Sequence, residues 1–243
     1  MNYIGSKHKL SSFLKSSIIR TVDLDLSNLV FCDLFAGTGI VGRTFKPLVK
    51  QVIANDVEHY SYILNRNYIG NHKLINCKKR IEFLNNIEGI EGFIFHQYCE
   101  NGVEDRLYFS SENGKKIDAI RQQIETWKII NEISEDEYYF LLASLIESAD
   151  KVANTASVYG AYLKKIKKSA QKTLYIKPAE FINTESSHQV FNEDSNMLIK
   201  KIKGDILYLD PPYNARQYGS NYHLLNTIAK YDTFLPKGKT GLR

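Results

Sequence analysis

The stretch Leu29-Val30-Phe31-Cys32-Asp33-Leu34-Phe35-Ala36-Gly37-Thr38-Gly39-Ile40-Val41 decides how the chain is read. Four apolar residues stop at an acid, and a turn carrying two glycines follows. A short helix then runs from Ile40 to about Lys46, where Pro47 interrupts it. The apolar run reads as a buried strand. The glycines let the turn's backbone approach a ligand closely, and the helix start offers unpaired N–H groups. A G-x-G by itself is equally compatible with a plain tight turn. Outward from this unit, Gln51-Val52-Ile53-Ala54 reads as a second strand ending at Asn55-Asp56. A helix follows to about Tyr68, with Gly70 as its stop. Asp56 lies 17 residues beyond Gly39. An acid there can accept hydrogen bonds from both hydroxyls of a ribose, although a solvated strand end would look the same. Gly42 falls three positions after Gly39, but the rest of the dinucleotide pattern is missing. An adenosine-type ligand without a pyrophosphate is therefore favoured over NAD.

The same grammar returns late. His188 to Phe191 reads as a strand ending in Asn192-Glu193-Asp194, and Ser195 to Lys203 as a short helix. Ile206-Leu207-Tyr208-Leu209 is an apolar strand ending in Asp210-Pro211-Pro212-Tyr213, and Asn221 to Lys230 reads as helical. Two prolines after a strand donate no ladder hydrogen bond and fix the backbone rigidly. The Asp210 carboxylate beside a fixed carbonyl gives two neighbouring acceptors, one for each hydrogen of an –NH2 group. Tyr213 adds a flat face for a planar base. Strands alternating with helices predict an α/β fold with a parallel sheet covered on both faces.

Between the two halves, residues 77–184 read as a mostly helical insertion. Lys78 to Ile87 is a charged helix, and 89–114 reads as irregular, with room for a hairpin. Lys115 to Glu132 carries Ile117, Ile120, Ile124 and Trp127 at helical spacing. Ser134 and Glu137 form a capping box that opens a helix with Tyr138, Leu141, Leu142, Leu145, Ala149 and Val152 on one face. At the start of the chain, Ser6 can cap a helix to about Arg20 with Leu10, Phe13, Leu14 and Ile18 on one face.

Composition narrows the class. At 243 residues, 43% hydrophobic and 24% charged, the chain fits one domain or one core with an insertion, and excludes a fibre or a disordered tail. No stretch approaches the roughly 18 apolar residues of a membrane span, and the first seven residues lack a secretory h-region. Three widely spaced cysteines make no disulfide framework, and neither they nor the six histidines have metal-ligand spacing. A reduced, cytoplasmic setting, no metal and no membrane are expected. The net charge of +5 permits a polyanionic partner. Lys164, Lys165, Lys167, Lys168, Lys172 and Lys177 form a strip without an acid, flanked by Tyr159, Tyr162 and Tyr175. It reads as phosphate-contacting or as a solvated lysine face. Residues 214–222, with Arg216 and Tyr218, read as a loop that closes over a base or touches phosphates, or as an ordinary polar loop. Asn101, Arg106, Asn113, Arg121, Gln122 and Gln123 have the chemistry to read base edges.

Taken together, Tyr3-Ile4-Gly5-Ser6-Lys7, Leu34 to Gly39, Asn55-Asp56, Asn192-Glu193-Asp194 and Asp210 to Tyr213, in that order, resemble the Dam-like, alpha-group, DPPY-type DNA adenine methyltransferases of bacterial type II restriction–modification systems. The resemblance spans residue 2 to about 230. It implies a Rossmann-like sheet using S-adenosylmethionine, with S-adenosylhomocysteine as product. The catalytic core would be 1–76 with 185–243, and 77–184 a target-recognition region on double-stranded DNA. By position, Tyr3 and Lys7 match residues at the cofactor's methionine end, and Phe35, Gly37 and Gly39 match the loop beneath it. Asp56 matches the ribose acid and Asp194 the acid near the adenine amine. Asp210, Pro211, Pro212 and Tyr213 match the catalytic tetrapeptide, with Asp210 also beside the cofactor. Lys164, Lys165, Lys167, Lys168, Arg216 and Tyr218 would contact DNA. A cognate restriction endonuclease would share the recognition site without needing to bind. Two departures stand out. Ser6 replaces a second glycine of the N-terminal motif. The chain also ends 30 residues after Tyr213, where the family continues with further strands and helices, so a truncated or split form with a C-terminal fragment elsewhere is expected. The competing readings are methylation of RNA or of a protein amide, whose glutamine-acting relatives usually carry Asn at the position of Asp210, and a catalytically inactive DNA-binding form.

Overall fold

A computed structural model describes residues 7–70, 75–212 and 218–243. In chain order the elements are α1 (Ser11–Val22), β1 (Val30–Asp33), α2 (Ile40–Phe45), β2 (Gln51–Asn55), α3 (His59–Tyr68), α4 (Lys78–Asn86), α5 (Phe93–Tyr98), α6 (Ser111–Ile129), α7 (Glu135–Val152), β3 (Gln189–Phe191), α8 (Ser195–Leu198), β4 (Ile206–Tyr208), α9 (Tyr218–Asn221) and α10 (His223–Lys230). They fall into two compact units, residues 3–73 with 180–213, and residues 74–179 with 214–243.

The first unit is a four-stranded parallel sheet in the order β3-β2-β1-β4. Its core lies against α2 and α3. Phe31, Val52, Ala54, Phe45, Ile63 and Leu64 are fully buried, and the rings of Phe31 and Phe45 stack at 4.4 Å. Each such aromatic side chain withdraws enough apolar surface to contribute about 2–3 kcal/mol. The expected coverage of both faces holds for the middle strands. It does not hold at β4, where Leu207 and, just past the strand, Leu209 are half exposed; among the described residues β4 is also an edge strand, paired on one side only. In α1, Leu14 and Ile18 are half-buried while Leu10 and Phe13 are exposed, so the expected apolar face is covered only in part. The helix proper starts at Ser11, after a single tight turn from Lys7 to Leu10. The proposed cap, Ser6, lies outside the described residues.

The second unit is helical. Ile117, Ile120 and Ile124 of α6, Leu141, Leu142 and Leu145 of α7, and Leu224, Leu225 and Ile228 of α10 are fully buried. The capping box at Ser134 and Glu137 opens α7 as read from sequence. Helix α6 starts earlier than its apolar period suggests, because Ser110 caps it, and Gly114 leaves room for Cys99 rather than breaking it. Helix α5 sits in the stretch read as irregular. Its opening is capped from a distance: the buried Asp118 carboxylate accepts the N–H groups of Gly92, Ile94 and Phe95 at 2.8–3.1 Å. The last thirty residues belong with this unit, not with the sheet unit where the sequence reading groups them. Arg121 donates to the last carbonyls of α10, at Ile228 and Ala229. Tyr98, Tyr108 and Arg106 hold the carbonyls of residues 238–241.

Candidate active site

Every strand of the sheet points the same way, so their C-terminal ends share one edge. β1 continues to β2 on one side, while β4 lies on the other side of β1. That reversal of strand order leaves a crevice beyond the carboxyl ends of β1 and β4, where α/β sheets bind ligands. The register places Asp33 level with Ala54 and Tyr208, and Asn55 level with Phe191. Asp33, Asp56 and Asp210 therefore reach the same edge as the Gly37–Gly39 turn.

The turn is built for close approach. Gly37 and Gly39 have φ of 53° and 76°, in the left-handed region that disfavours side chains. A Cβ on Gly39 would stand 2.7 Å from the Asn65 Oδ1. The Gly37 carbonyl is held from α3 by the Ser61 hydroxyl and by Asn65 Nδ2 at 3.0 Å. Its N–H donates to Asp56 Oδ2 at 2.7 Å, and the other oxygen of Asp56 accepts from Glu58 N at 2.9 Å. A carboxylate has about four lone-pair sites, so Asp56 retains capacity for ligand hydroxyls. Burial pushes its pKa up to about 6.

Asp33 is buried, and its Oδ1 has no hydrogen-bond partner among the described residues. Burial, then the charge of Asp56, raise its pKa to about 7, and the charge of Asp210 adds to this. The N–H groups of Phe35 and Gly42 oppose it. A buried acceptor of this kind is costly unless something donates to it. Asp210 is partly exposed, and its Oδ2 lies 2.6 Å from Lys7 Nζ. Pro211 and Pro212 are exposed beside it, and Phe35 is half-buried at the loop. Asp194 caps α8, its Oδ1 accepting from Asn196 and Met197, while the side chain stays exposed.

The edge thus brings together Lys7, Phe35, Gly37, Gly39, Asp56 and Asp210. Tyr3, Tyr213, Arg216 and the side chain of Tyr218 lie outside the described residues. Three supporting residues carry no assigned role in the sequence reading, although Asn55 belongs to a quoted motif. Ser61 and Asn65, at i and i+4 on α3, are buried polar residues on the face that also buries Ile63 and Leu64. Buried Asn55 ties the β1 and β3 exits, donating to the carbonyls of Leu34 and Glu193 and accepting from Glu193 N at 3.0 Å. Buried polar residues among apolar ones were the available signal.

In the helical unit the lysine strip divides. Lys164, Lys165 and Lys168 are exposed, whereas Lys167 donates through Nζ to the Thr155 carbonyl at 2.6 Å. The fully buried Asn154 shapes this loop, donating to the carbonyls of Leu107 and Leu163 and accepting from Lys167 N. Tyr159 is core, not a flanking surface ring. Most of the candidate base readers are occupied internally. Arg106, Asn113 and Arg121 are buried on backbone carbonyls, Gln122 donates to the Tyr231 hydroxyl, and Asn101 to Ser111.

What could the edge hold? Its acceptors face hydrogen-bond donors, and its backbone admits a flat ligand near the glycines. Hydroxyls of a ribose and an ammonium group match that donor set, so the residues fit an adenosine-type cofactor. Among the described residues, no cluster of three or more His, Cys, Asp or Glu side chains forms a metal site, and no helix is long and apolar enough to cross a membrane.

Comparison with known proteins agrees with this geometry. Residues 3–243 match the model of the D12 class N6 adenine-specific DNA methyltransferases. The chain is 63% identical over 244 residues to type II methyltransferase M.NlaIII of Neisseria lactamica, which covers all of this chain and 73% of that protein. It is 43% identical over 254 residues to type II methyltransferase M.FokI of Planomicrobium okeanokoites, covering all of this chain and 39% of that protein. It is 39% identical over 249 residues to modification methylase StsI of Streptococcus sanguinis, covering 99% of this chain and 38% of that one. The chain therefore spans about two fifths of the length of two of these three relatives. No solved structure matches. The chain belongs to the family of D12 class N6 adenine-specific DNA methyltransferases.

Proposed function

We propose that this chain methylates the N6 amino group of adenine at a defined sequence in duplex DNA, with S-adenosylmethionine as methyl donor. The observation that carries the reading is the placement of Asp210, followed at once by Pro211, on the same sheet edge as the Gly37–Gly39 turn and across the reversal of strand order. Phe35, the backbone of Gly37 and Gly39, Asp56 and Asp194 would hold the cofactor. When bound, it supplies an electrophilic methyl group on a sulfonium. The chain's own residues do the rest. The adenine amine is a poor nucleophile because its lone pair is delocalised into the ring, and in a duplex it is paired and stacked. The base must therefore leave the helix. Asp210 and the Pro211 carbonyl accept the two amine hydrogens, which favours a pyramidal nitrogen with an available lone pair. As the new N–C bond forms and the methyl's bond to sulfur breaks, the Asp210 charge stabilises the positive charge that develops on that nitrogen, and the nitrogen loses its proton to solvent afterwards, so Asp210 acts as positioner and electrostatic partner more than as strong base. Pro212 stiffens the backbone, and Tyr213 is expected to stack on the base. Residues 77–184 would carry target recognition, and the exposed Lys164, Lys165 and Lys168 contact phosphates. A cytoplasmic setting fits three buried free cysteines.

The test is Asp210→Ala with labelled S-adenosylmethionine and mixed-sequence plasmid DNA, followed by mapping of the modified positions. Wild type is expected to place label on adenine N6 at one recurrent sequence. The variant is expected to lose at least about a hundredfold in turnover, with cofactor affinity changed by less than about threefold. Near-normal turnover in the variant would refute the assignment of Asp210.

A further inference from the structure

Lys7 and Asp210 are separated by almost the whole sequence, yet Lys7 Nζ lies 2.6 Å from Asp210 Oδ2, with both side chains largely shielded from solvent. Lys7 belongs to the tight turn ahead of α1, and Asp210 stands two residues past β4. Among the described residues, the charged and titratable groups seen to interact with this carboxylate are Lys7, Asp33 and Tyr208. The Asp210 charge helps to raise Asp33 to about 7 and, after burial, Tyr208 to about 12. Asp56 in turn acts on Asp33. The edge therefore gathers three carboxyl groups, and the cation paired with Asp210 is Lys7.

Two consequences follow from that geometry. A carboxylate gripped at one oxygen has a fixed plane, so the direction of the other oxygen is fixed too. An amino group has two hydrogens, and with Oδ2 turned to Lys7 the acceptors best placed for it, away from the ammonium, are Asp210 Oδ1 and the Pro211 carbonyl. The ammonium also offsets the negative charge that Asp210 adds to an edge shared with Asp33 and Asp56. We propose that Lys7 is the positioning residue of the catalytic carboxylate: by holding Oδ2 of Asp210 it aims Oδ1 at the amino group of the target base. This rests on the adenine methyltransferase reading above. It goes beyond the motif resemblance, which places Lys7 only at the methionine end of the cofactor.

The test compares wild type, Lys7→Met and Lys7→Arg in three measurements: cofactor affinity without DNA, single-turnover methylation of duplex DNA at saturating cofactor against pH, and the 13C-carboxyl titration of Asp210. Lys7→Met is expected to slow the saturated single turnover by about tenfold or more while cofactor affinity changes less than about threefold. Its acid limb moves to higher pH, and the Asp210 titration moves the same way, because the carboxylate keeps its acidic neighbours and loses its cation. Lys7→Arg, which preserves a cation, restores the limb and most of the rate. The proposal is overturned if Lys7→Met weakens cofactor binding but runs at the wild-type rate once saturated, since Lys7 is then a cofactor ligand only. It is also overturned if the Asp210 titration stays in place. If Lys7→Met does not fold, the same titration shift is sought in Lys7→Gln, and its absence overturns the proposal. The titration needs no turnover. A wild type that puts no methyl on adenine while the titration still shifts would sink the functional reading and leave the coupling standing.

Discussion

Gly39→Ala tests the glycine turn and its support from α3 together. At φ 76° an alanine pays the left-handed penalty, about 1–2 kcal/mol. Its Cβ would also stand 2.7 Å from Asn65 Oδ1, which is too close. Asn65 is buried and donates to the carbonyls of Gly37 at 3.0 Å and Ser61 at 2.9 Å, so it cannot move aside without lengthening both bonds. Each is worth about 1 kcal/mol net. The expected loss is about 2–4 kcal/mol, a large part of the 5–15 kcal/mol that holds a typical domain. Urea unfolding followed by circular dichroism measures it. A cycle with Asn65→Ala separates the two causes, because the smaller side chain removes the clash and leaves only the backbone strain. The two single losses should exceed the double-variant loss by about 1–2 kcal/mol. Strict additivity would show that Asn65 does not set the cost. In whatever fraction of Gly39→Ala folds, cofactor affinity should fall at least about tenfold, since a side chain now occupies the turn. Unchanged affinity would refute the role of the turn as the cofactor's cradle.

Asp33 links the same edge to pH. Its folded pKa of about 7 lies above the ordinary carboxylate value, so the native state holds this proton more tightly than the unfolded chain. The associated stability is complete below about pH 4 and is lost as pH rises through about 7, amounting to roughly 3–4 kcal/mol. Asp33→Asn should remove that slope, so that urea midpoints of wild type and variant diverge between pH 5 and 8 with the variant the more stable at the upper end; parallel curves would contradict it. In the lysine strip, reversing Lys164, Lys165 and Lys168 to Glu should weaken binding to all duplexes alike. Loss of three phosphate contacts would reduce the slope of log affinity against log salt by about 2.7. Lys167→Glu should instead lower the melting temperature, because its ammonium is tied to Thr155. A loss confined to one DNA sequence would contradict the phosphate assignment.

The parts of the fold that were legible in sequence are those whose cause is local. Strand β1 with its glycine turn, the capping box of α7 and the acid after each strand are set by neighbouring residues, and they stand where the pattern puts them. Parts set by distant side chains were not legible. Helix α5 is capped by Asp118, which follows it by more than twenty residues. Residues 218–243 join the helical unit, where Arg121, Arg106, Tyr98 and Tyr108 donate to their carbonyls. The same asymmetry explains the candidate base readers. Polar chemistry qualifies a residue to read a base, but Arg106 and Asn113 spend their donors on irregular backbone and Arg121 its own on the last carbonyls of α10, and periodicity gives no sign of that demand. Long segments without regular structure need such side chains as acceptors and donors, because buried backbone N–H and C=O groups must find partners. Residues 153–187 form such a segment, held by Asn85, Asn113, Ser144, Ser148 and Asn154. Polar residues on helices beside a long irregular segment are therefore better candidates for scaffolding than for recognition. Base reading is better sought among side chains the scaffold leaves exposed, as phosphate contact is in the exposed part of the lysine strip.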